Sequence, residues 1–323
     1  MRKGVIILLS IIIVLLAAGF KFRQTPKSVP IEVTGGLPEG YGISANYPGD
    51  IGIENDPNVI FAENFEAATL EEVLSRWTSY SNKNGKVLSL VYDSPSGSAG
   101  NKCLEVTATL KNYENTGGYL YKVFEQGYDE VYARFYVKFA EDFQYAHHFV
   151  KLFALKNPPP WPIGEAGRTP KGDERFNTGI EPTGKGGEYP PPGIWHFYTY
   201  WHEMSGEYGN DFSPKNPVPV KRNEWICVEF MVKANSAPDK ADGEQAFWIN
   251  GELKGRFVGF RWRTTNKLKI NTFWLLLYVT YDALRRNGIR EYEANPYQTV
   301  YFDQIVIATK YIGPIKPLNQ TST

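Results

Sequence analysis

Two cysteines, Cys103 and Cys227, cannot staple a chain of 323 residues. Its stability must therefore come from a hydrophobic core, which a chain of this length can bury. Both cysteines sit in apolar strand patterns. A disulfide and a pair of free buried thiols are both compatible with that setting. Charge of one sign is also missing, because 35 Lys and Arg balance 35 Asp and Glu. A nucleic-acid partner, which normally draws a basic excess, is disfavoured. Histidine is scarce, and none of the four forms H-E-x-x-H or a Cys/His spacing, which argues against zinc. Helical periodicity is nearly absent outside one short segment, and no internal repeat is visible.

What the sequence does contain is alternation. Val131, Ala133, Phe135, Val137 and Phe139 take one face of a strand, and Tyr132, Arg134, Tyr136 and Lys138 take the other. The second row joins two phenols to two cations, groups that stack on sugar rings and pair with carboxylates. A solvated strand with charges guarding its surface is the plain alternative. Residues 194–203 alternate in the same way, with His196, Tyr198, Tyr200 and His202 on one face. In 146–152, His147 and Lys151 fall on one side and His148 on the other, so the two histidines are not expected to share a metal. All four histidines lie in these two segments, and aromatic residues make up 15% of the chain, with eight Trp and 21 Tyr. A polar, aromatic cleft is the expectation.

The N-terminus reads as an export element. Arg2 and Lys3 precede an apolar run from Val5 to Phe20, and Lys21 and Arg23 follow. Residues 1–23 are expected to be a signal peptide or a membrane anchor, and the rest of the chain is expected to work outside the cytoplasm. Residues 24–56, rich in Pro, Gly, Ser and Asn, read as a linker. A globular domain then runs over 57–313, followed by a tail over 314–323. One helix is expected at 70–77, capped by Thr69 with Glu71 and Glu72 in its first turn. Ten strand patterns follow, and Asn250-Gly251 marks a hairpin turn. The connection 156–193 holds nine prolines and eight glycines and reads as the wall of a cleft. The pattern as a whole predicts an all-β, two-sheet sandwich of jelly-roll type.

Two phrases carry a resemblance. One is the Trp-led run 225–235; the other is 242–251, with its D-G, W-I-N-G and hairpin. Together they resemble a recurring element of concanavalin A-like jelly rolls. With the Tyr132/Arg134/Tyr136/Lys138 strand and the closing strand 301–309, the region 59–313 is similar to alginate and glucuronan lyase-like jelly rolls, polysaccharide lyase family 14 and its relatives. The resemblance implies β-elimination on an acidic, uronate-containing polysaccharide. Such a reaction needs cations or strong donors on the sugar carboxylate, a base for the adjacent proton, and an acid for the leaving oxygen.

Arg134, Lys138 and Lys151 are the expected neutralisers. Tyr136, Tyr198, Tyr200, His147, His196 and His202 are the expected acid/base groups. Tyr132, Arg175 and Glu181 are expected to contact substrate. Glu63 and Asp303 are the oxygen donors expected of a structural calcium where the first and last strands meet; no other cofactor is implied, and a monomer is expected.

Two other functions remain open at this point. A glycoside hydrolase would draw on Glu181, Glu203, Glu229 or Asp303, although the E-x-D-x-x-E strand of laminarinase-type jelly rolls is absent. A lectin-like surface module would need only the aromatic platforms.

Overall fold

The structure, a computed structural model, describes residues 27–162 and 166–318. The expected export element at 1–23 lies outside the described residues. In chain order the strands are β1 Ile31–Glu32, β2 Val59–Glu63, β3 Ser79–Ser81, β4 Leu88–Tyr92, β5 Lys102–Thr109, β6 Gly117–Tyr128, β7 Glu130–Phe139 and β8 Val150–Leu155. They continue as β9 Arg175–Thr183, β10 Ile194–Tyr200, β11 Asn210–Phe212, β12 Ile226–Lys233, β13 Gly243–Ile249, β14 Glu252–Phe260, β15 Ile270–Tyr278 and β16 Tyr297–Ala308. Two short helices interrupt them, α1 Leu70–Ser75 and α2 Tyr281–Arg286.

Every strand pairing is antiparallel, and two sheets form. The larger runs β1-β14-β13-β12-β7-β16-β5-β4, with β2 also on β16; the smaller runs β11-β10-β9-β8-β15-β6-β3. This is the expected jelly-roll sandwich. The inward face of each strand supplies the core between the sheets. Phe135 and Phe139 of β7 meet Phe149 and Trp195 from the smaller sheet at ring distances of 5.6–6.2 Å, and Phe197 of β10 meets Phe230 of β12 at 6.4 Å. The hairpin at Asn250-Gly251 takes positive φ at both residues, 51° and 82°, as a two-residue turn between right-twisted strands requires. Thr69 caps α1 by accepting from the Glu72 N–H at 3.2 Å. Thr280 caps α2, a helix absent from the sequence reading, by accepting from Ala283 at 3.1 Å.

Three sequence expectations need correction here. Residues 24–56 are not a free linker over their described part. β1 pairs with β14, and Ile43 and Ile53 are buried in a second apolar cluster with Tyr132, Met231, Trp248, Tyr311 and Ile312. This N-terminal strap and the chain after β16 together cover the outer face of the larger sheet. Ile43 N–H donates to Tyr311 O at 3.1 Å, and Trp248 Nε1 donates to Pro38 O at 2.8 Å. The start of the expected tail belongs to the fold too, since Ile315 is buried against Tyr136 and Cys227. The connection 156–193 contains β9, a central strand of the smaller sheet.

The two cysteines are free and buried. Glu63 accepts from the Phe65 N–H and from Arg76, while Asp303 accepts from the Gln304 N–H. Among the described residues, no group of three or more His, Cys, Asp or Glu is placed to hold a metal ion. Glu63 and Asp303 each keep one buried carboxylate oxygen, Oε2 and Oδ2, without a hydrogen-bond partner among the described residues.

Candidate active site

The outward face of the smaller sheet forms the floor of a cleft of about 1400 Å³. That exceeds the roughly 300–1,000 Å³ of sites for compact small ligands and suits a polymer. Lining residues come from all seven strands or their ends, from Ser81 and Lys83 on one side to Tyr208 and Asp211 on the other. At a strand spacing of about 4.8 Å, the cleft crosses about 29 Å of sheet.

Register fixes the order of side chains across the floor. One row reads Asp211 (β11), Tyr198 (β10), Gly179 (β9), Lys151 (β8), Trp274 (β15). Beside it, His196 stands opposite Glu181; on the other flank, Tyr200, Asn177 and Phe153 form a second row. Trp274 packs edge-on with Tyr119 at 5.8 Å and tilted against Phe153 at 5.9 Å, giving an aromatic platform beside Lys151.

The centre of the cleft is ionic, and its charged groups are largely buried. Glu181 is 4% exposed and accepts from His148 Nδ1 at 3.3 Å and from the Phe149 N–H at 3.3 Å; His196 Nε2 lies 3.8 Å away. Burial alone would raise its pKa, but His148, Lys151 and His196 outweigh that and hold it down at about 2. An ionised carboxylate only accepts, so His148 Nδ1 carries the proton and its Nε2 keeps a lone pair. Burial depresses the pKa of His148 and, despite two nearby carboxylates, of His196.

Lys151 is 5% exposed, and its ammonium has no hydrogen-bond or ion-pair partner among the described residues. It lies 5.6 Å from the centre of the Tyr198 ring. Desolvation lowers its pKa, with Glu181 opposing. Tyr198 is displaced the other way: burial, then its contact with Tyr200, raise its pKa, so its hydroxyl stays protonated.

A column of rings forms the cleft wall. His147 stacks on Tyr278 at 4.9 Å and on His148 at 4.7 Å, and His148 stacks on Tyr198 at 5.3 Å. Arg286 donates to His147 Nε2 at 3.0 Å, so His147 Nδ1 is the protonated nitrogen and faces Thr280 Oγ1 at 3.0 Å. Burial, with His148 and Arg286 nearby, pushes the His147 pKa down to about 4.

Of the residues singled out from sequence, the fold gathers His147, Lys151, Glu181, His196, Tyr198 and Tyr200 in this cleft. It does not bring the Tyr132/Arg134/Tyr136/Lys138 row to them. β7 belongs to the larger sheet, and that row faces away from the smaller one, under the straps. Arg134 is fully buried and paired with Asp50; it also donates to Gln304 O at 3.0 Å. Tyr136 accepts from the Ile315 N–H at 2.8 Å, Tyr132 donates to Glu130 at 2.9 Å, and Lys138 pairs with Asp93 between the rings of Trp225 and Tyr301.

His202 also misses the cleft. β10 ends at Tyr200, and the His202 ring sits beside Gly172 and Glu203. Arg175 is buried beneath Tyr200 at 5.8 Å from the ring centre and donates to Arg168 O. His147 and His148 are not on opposite faces: they precede β8, outside the regular strand, and stack on one another.

The sequence reading names His148 without a role in the site, and it misses Asn177, Gly179 and Trp274. Asn177, Gly179 and Glu181 do alternate with Phe176, Thr178 and Ile180, a period-2 signal hidden by the prolines and glycines around it.

Neither the scan against protein-family models nor the search of curated proteins returns a match. Solved structures do share the fold. Alginate lyase vAL-1 from Chlorella virus superposes with a TM-score of 0.56 at 14% identity, over 79% of this chain and all of that one. A variant of alginate lyase Aly36B, with one lysine and one tyrosine replaced by alanine and in complex with an alginate tetrasaccharide, gives 0.51 at 15%, over 90% and 100%. The endo-β-1,4-glucuronan lyase of the fungus Trichoderma reesei gives 0.50 at 17%, over 78% and 96%. The chain has the jelly-roll fold of the alginate and glucuronan lyases.

Proposed function

We propose that this protein is a polysaccharide lyase that cleaves a uronate polymer by β-elimination, with Lys151 as base and Tyr198 as acid. The observation that carries this reading is the buried Lys151 amine beside the Tyr198 ring, without a hydrogen-bond or ion-pair partner among the described residues, in the middle of a cleft wide enough for a polymer. Desolvation favours the neutral amine, which can take the proton next to the sugar carboxylate. The protonated phenol of Tyr198 can then pass its proton to the leaving oxygen. The C–H bond at C5 and the C–O bond at C4 break, a C4=C5 double bond forms, and each proton has a named carrier.

Charge that develops on the substrate carboxylate needs N–H or O–H donors. In this reading Asn177 and Tyr200, in the row beside Lys151 and Tyr198, and His196 supply them; that all three line the cleft supports it. Trp274, Tyr119 and Phe153 offer faces for neighbouring sugars. The Aly36B variant seen with bound alginate lacks a lysine and a tyrosine, which agrees with this choice of residue types.

The hydrolase reading has less support. It needs a carboxylic acid kept protonated, yet Glu181 is held ionised. Glu203 is engaged by Arg261 at 2.5 Å, Glu229 is buried under the strap, and Asp303 lies in the larger sheet.

Base and acid both rise from the same floor, so proton and leaving group depart from one face of the sugar ring. D-mannuronate and D-glucuronate present C5–H and C4–O on one face; L-guluronate presents them on opposite faces. The test is a panel of polymannuronate, polyglucuronate and polyguluronate, followed by the ultraviolet absorbance of the new double bond. Absorbance should rise on one or both of the first two. A rise only on polyguluronate refutes the same-face geometry, reducing ends without absorbance indicate a hydrolase, and binding without either indicates a lectin-like module.

The apolar run at 5–20 supports action outside the cytoplasm. Deleting it should leave the protein soluble inside the cell, and finding the full-length protein there removes that part of the proposal.

A further inference from the structure

Gly179 stands in the middle of β9, between Tyr198 on one neighbouring strand and Lys151 on the other. Nothing in its backbone calls for glycine, since its φ is not among the positive values of the chain. A mid-strand glycine weakens a sheet, because it loses more conformational freedom on folding and packs nothing. The space around it explains its presence. A Cβ built on Gly179 would lie 2.9 Å from Lys151 Cγ and 3.2 Å from Lys151 Cε, with Val150 O at 3.3 Å. The lysine stem therefore lies in the trough that the missing side chain leaves. Cγ is positioned by χ1 alone, so the clash is relieved only by a rotamer change, which swings the whole side chain off β9.

We infer that Gly179 is a positioning residue. Its bare backbone lets Lys151 cross β9 and hold its amine against Tyr198. In a strand row where Asp211, Tyr198, Lys151 and Trp274 all carry bulk, this one gap carries the lysine toward the tyrosine two strands away. The inference rests on the proposed role of Lys151, and the test separates the two.

Gly179→Ala, Lys151→Ala and the double variant are compared with the parent on the polymer that the parent cleaves. Gly179→Ala should still fold, because alanine suits a strand better than glycine and the Lys151 side chain can swing out of the trough to make room. Its kcat should fall by about 100-fold, the cost of an ångström-scale misplacement of a reacting group, with KM little changed. In the Lys151→Ala background the same change should cost nothing more.

A readout that needs no substrate is the titration of the Lys151 amine, followed by NMR of lysine labelled at Cε. The depressed pKa of the parent should climb toward the ordinary lysine value of about 10.4 once the stem leaves the trough. If Lys151→Ala abolishes elimination while Gly179→Ala keeps the parent kcat and the parent titration, the positioning role is wrong. An equal loss with and without Lys151 means that the methyl blocks substrate instead, which also overturns it. If Lys151→Ala keeps full elimination, the assignment of the base fails and the inference falls with it.

Discussion

Replacing Arg134 by alanine separates the structural reading from the sequence reading most sharply. Read from alternation, Arg134 is a cation on a sugar-facing row, and its loss should stop turnover. In the fold it is fully buried on the far side of the sandwich, paired with Asp50, whose side chain is 2% exposed, and donating to Gln304 O at 3.0 Å. Alanine leaves the Asp50 carboxylate buried without its partner. Breaking a buried pair in this way costs about 3–5 kcal/mol, and for a domain of this size each kcal/mol lowers the melting temperature by about 2–4 °C. The expected fall is roughly 6–20 °C. The double variant Arg134→Met/Asp50→Asn removes both charges and keeps bulk at 134, and asparagine tolerates the positive φ of 61° at position 50. It should recover most of the loss. Thermal unfolding followed by circular dichroism gives the stabilities, and elimination is measured at a temperature where every variant is folded. Turnover of folded Arg134→Ala should match the parent. A parent-like melting temperature with turnover cut by orders of magnitude would refute the burial argument and return Arg134 to the active site.

Further outcomes follow from the buried groups. Tyr198→Phe keeps the ring that stacks on His148 but removes the proton donor, so kcat should drop by about 100-fold or more while binding of a short oligouronate persists; equal loss of both would reduce Tyr198 to a stacking platform. The pH profile of kcat/KM in the parent should rise through the lowered Lys151 pKa and show no fall from Tyr198 below the ordinary tyrosine range, since that hydroxyl is shifted upward; a descending limb near neutrality would contradict the assignment. Glu229 accepts from the Ile312 and Gly313 N–H groups at 2.8 Å each, and burial raises its pKa to about 7. The folded state then holds a proton that the unfolded state releases near 4.5. Its contribution therefore weakens stability as pH rises from about 4.5 to 7, by about 3 kcal/mol in all. The parent should lose stability over that window relative to Glu229→Gln, and a constant difference between them would refute the shift.

Alternation made the sandwich legible, and it also sorted most side chains correctly into faces. The row of Tyr132, Arg134, Tyr136 and Lys138 does share one face. Parity cannot say what covers that face, however, and here both faces of the larger sheet are covered, the outer one by straps from 37–55 and 311–316. The covering segments looked like linker and tail because their apolar residues, Ile43, Ile53, Tyr311 and Ile315, are spaced irregularly among glycines and prolines. The alternating pattern runs three residues past the end of β10 at Tyr200, which carried His202 into the expected cleft. β9 was lost for a related reason: Gly179 and Pro182 break strand propensity. The lone lysine in the apolar run Val150–Leu155 was visible in the sequence, and so was the histidine pair before it. Their convergence with Glu181 and Tyr198 depends on strand order β10-β9-β8, which no local pattern encodes.

The central claim is that Lys151, in the cleft of the smaller sheet, removes the proton beside the substrate carboxylate. The most direct measurement is the rate of double-bond formation on polymannuronate or polyglucuronate by the parent and by Lys151→Ala, at matched melting temperature and matched oligouronate binding. The account predicts steady ultraviolet absorbance growth with the parent and a loss of at least about 100-fold in the variant. Equal rates for the two proteins would contradict it.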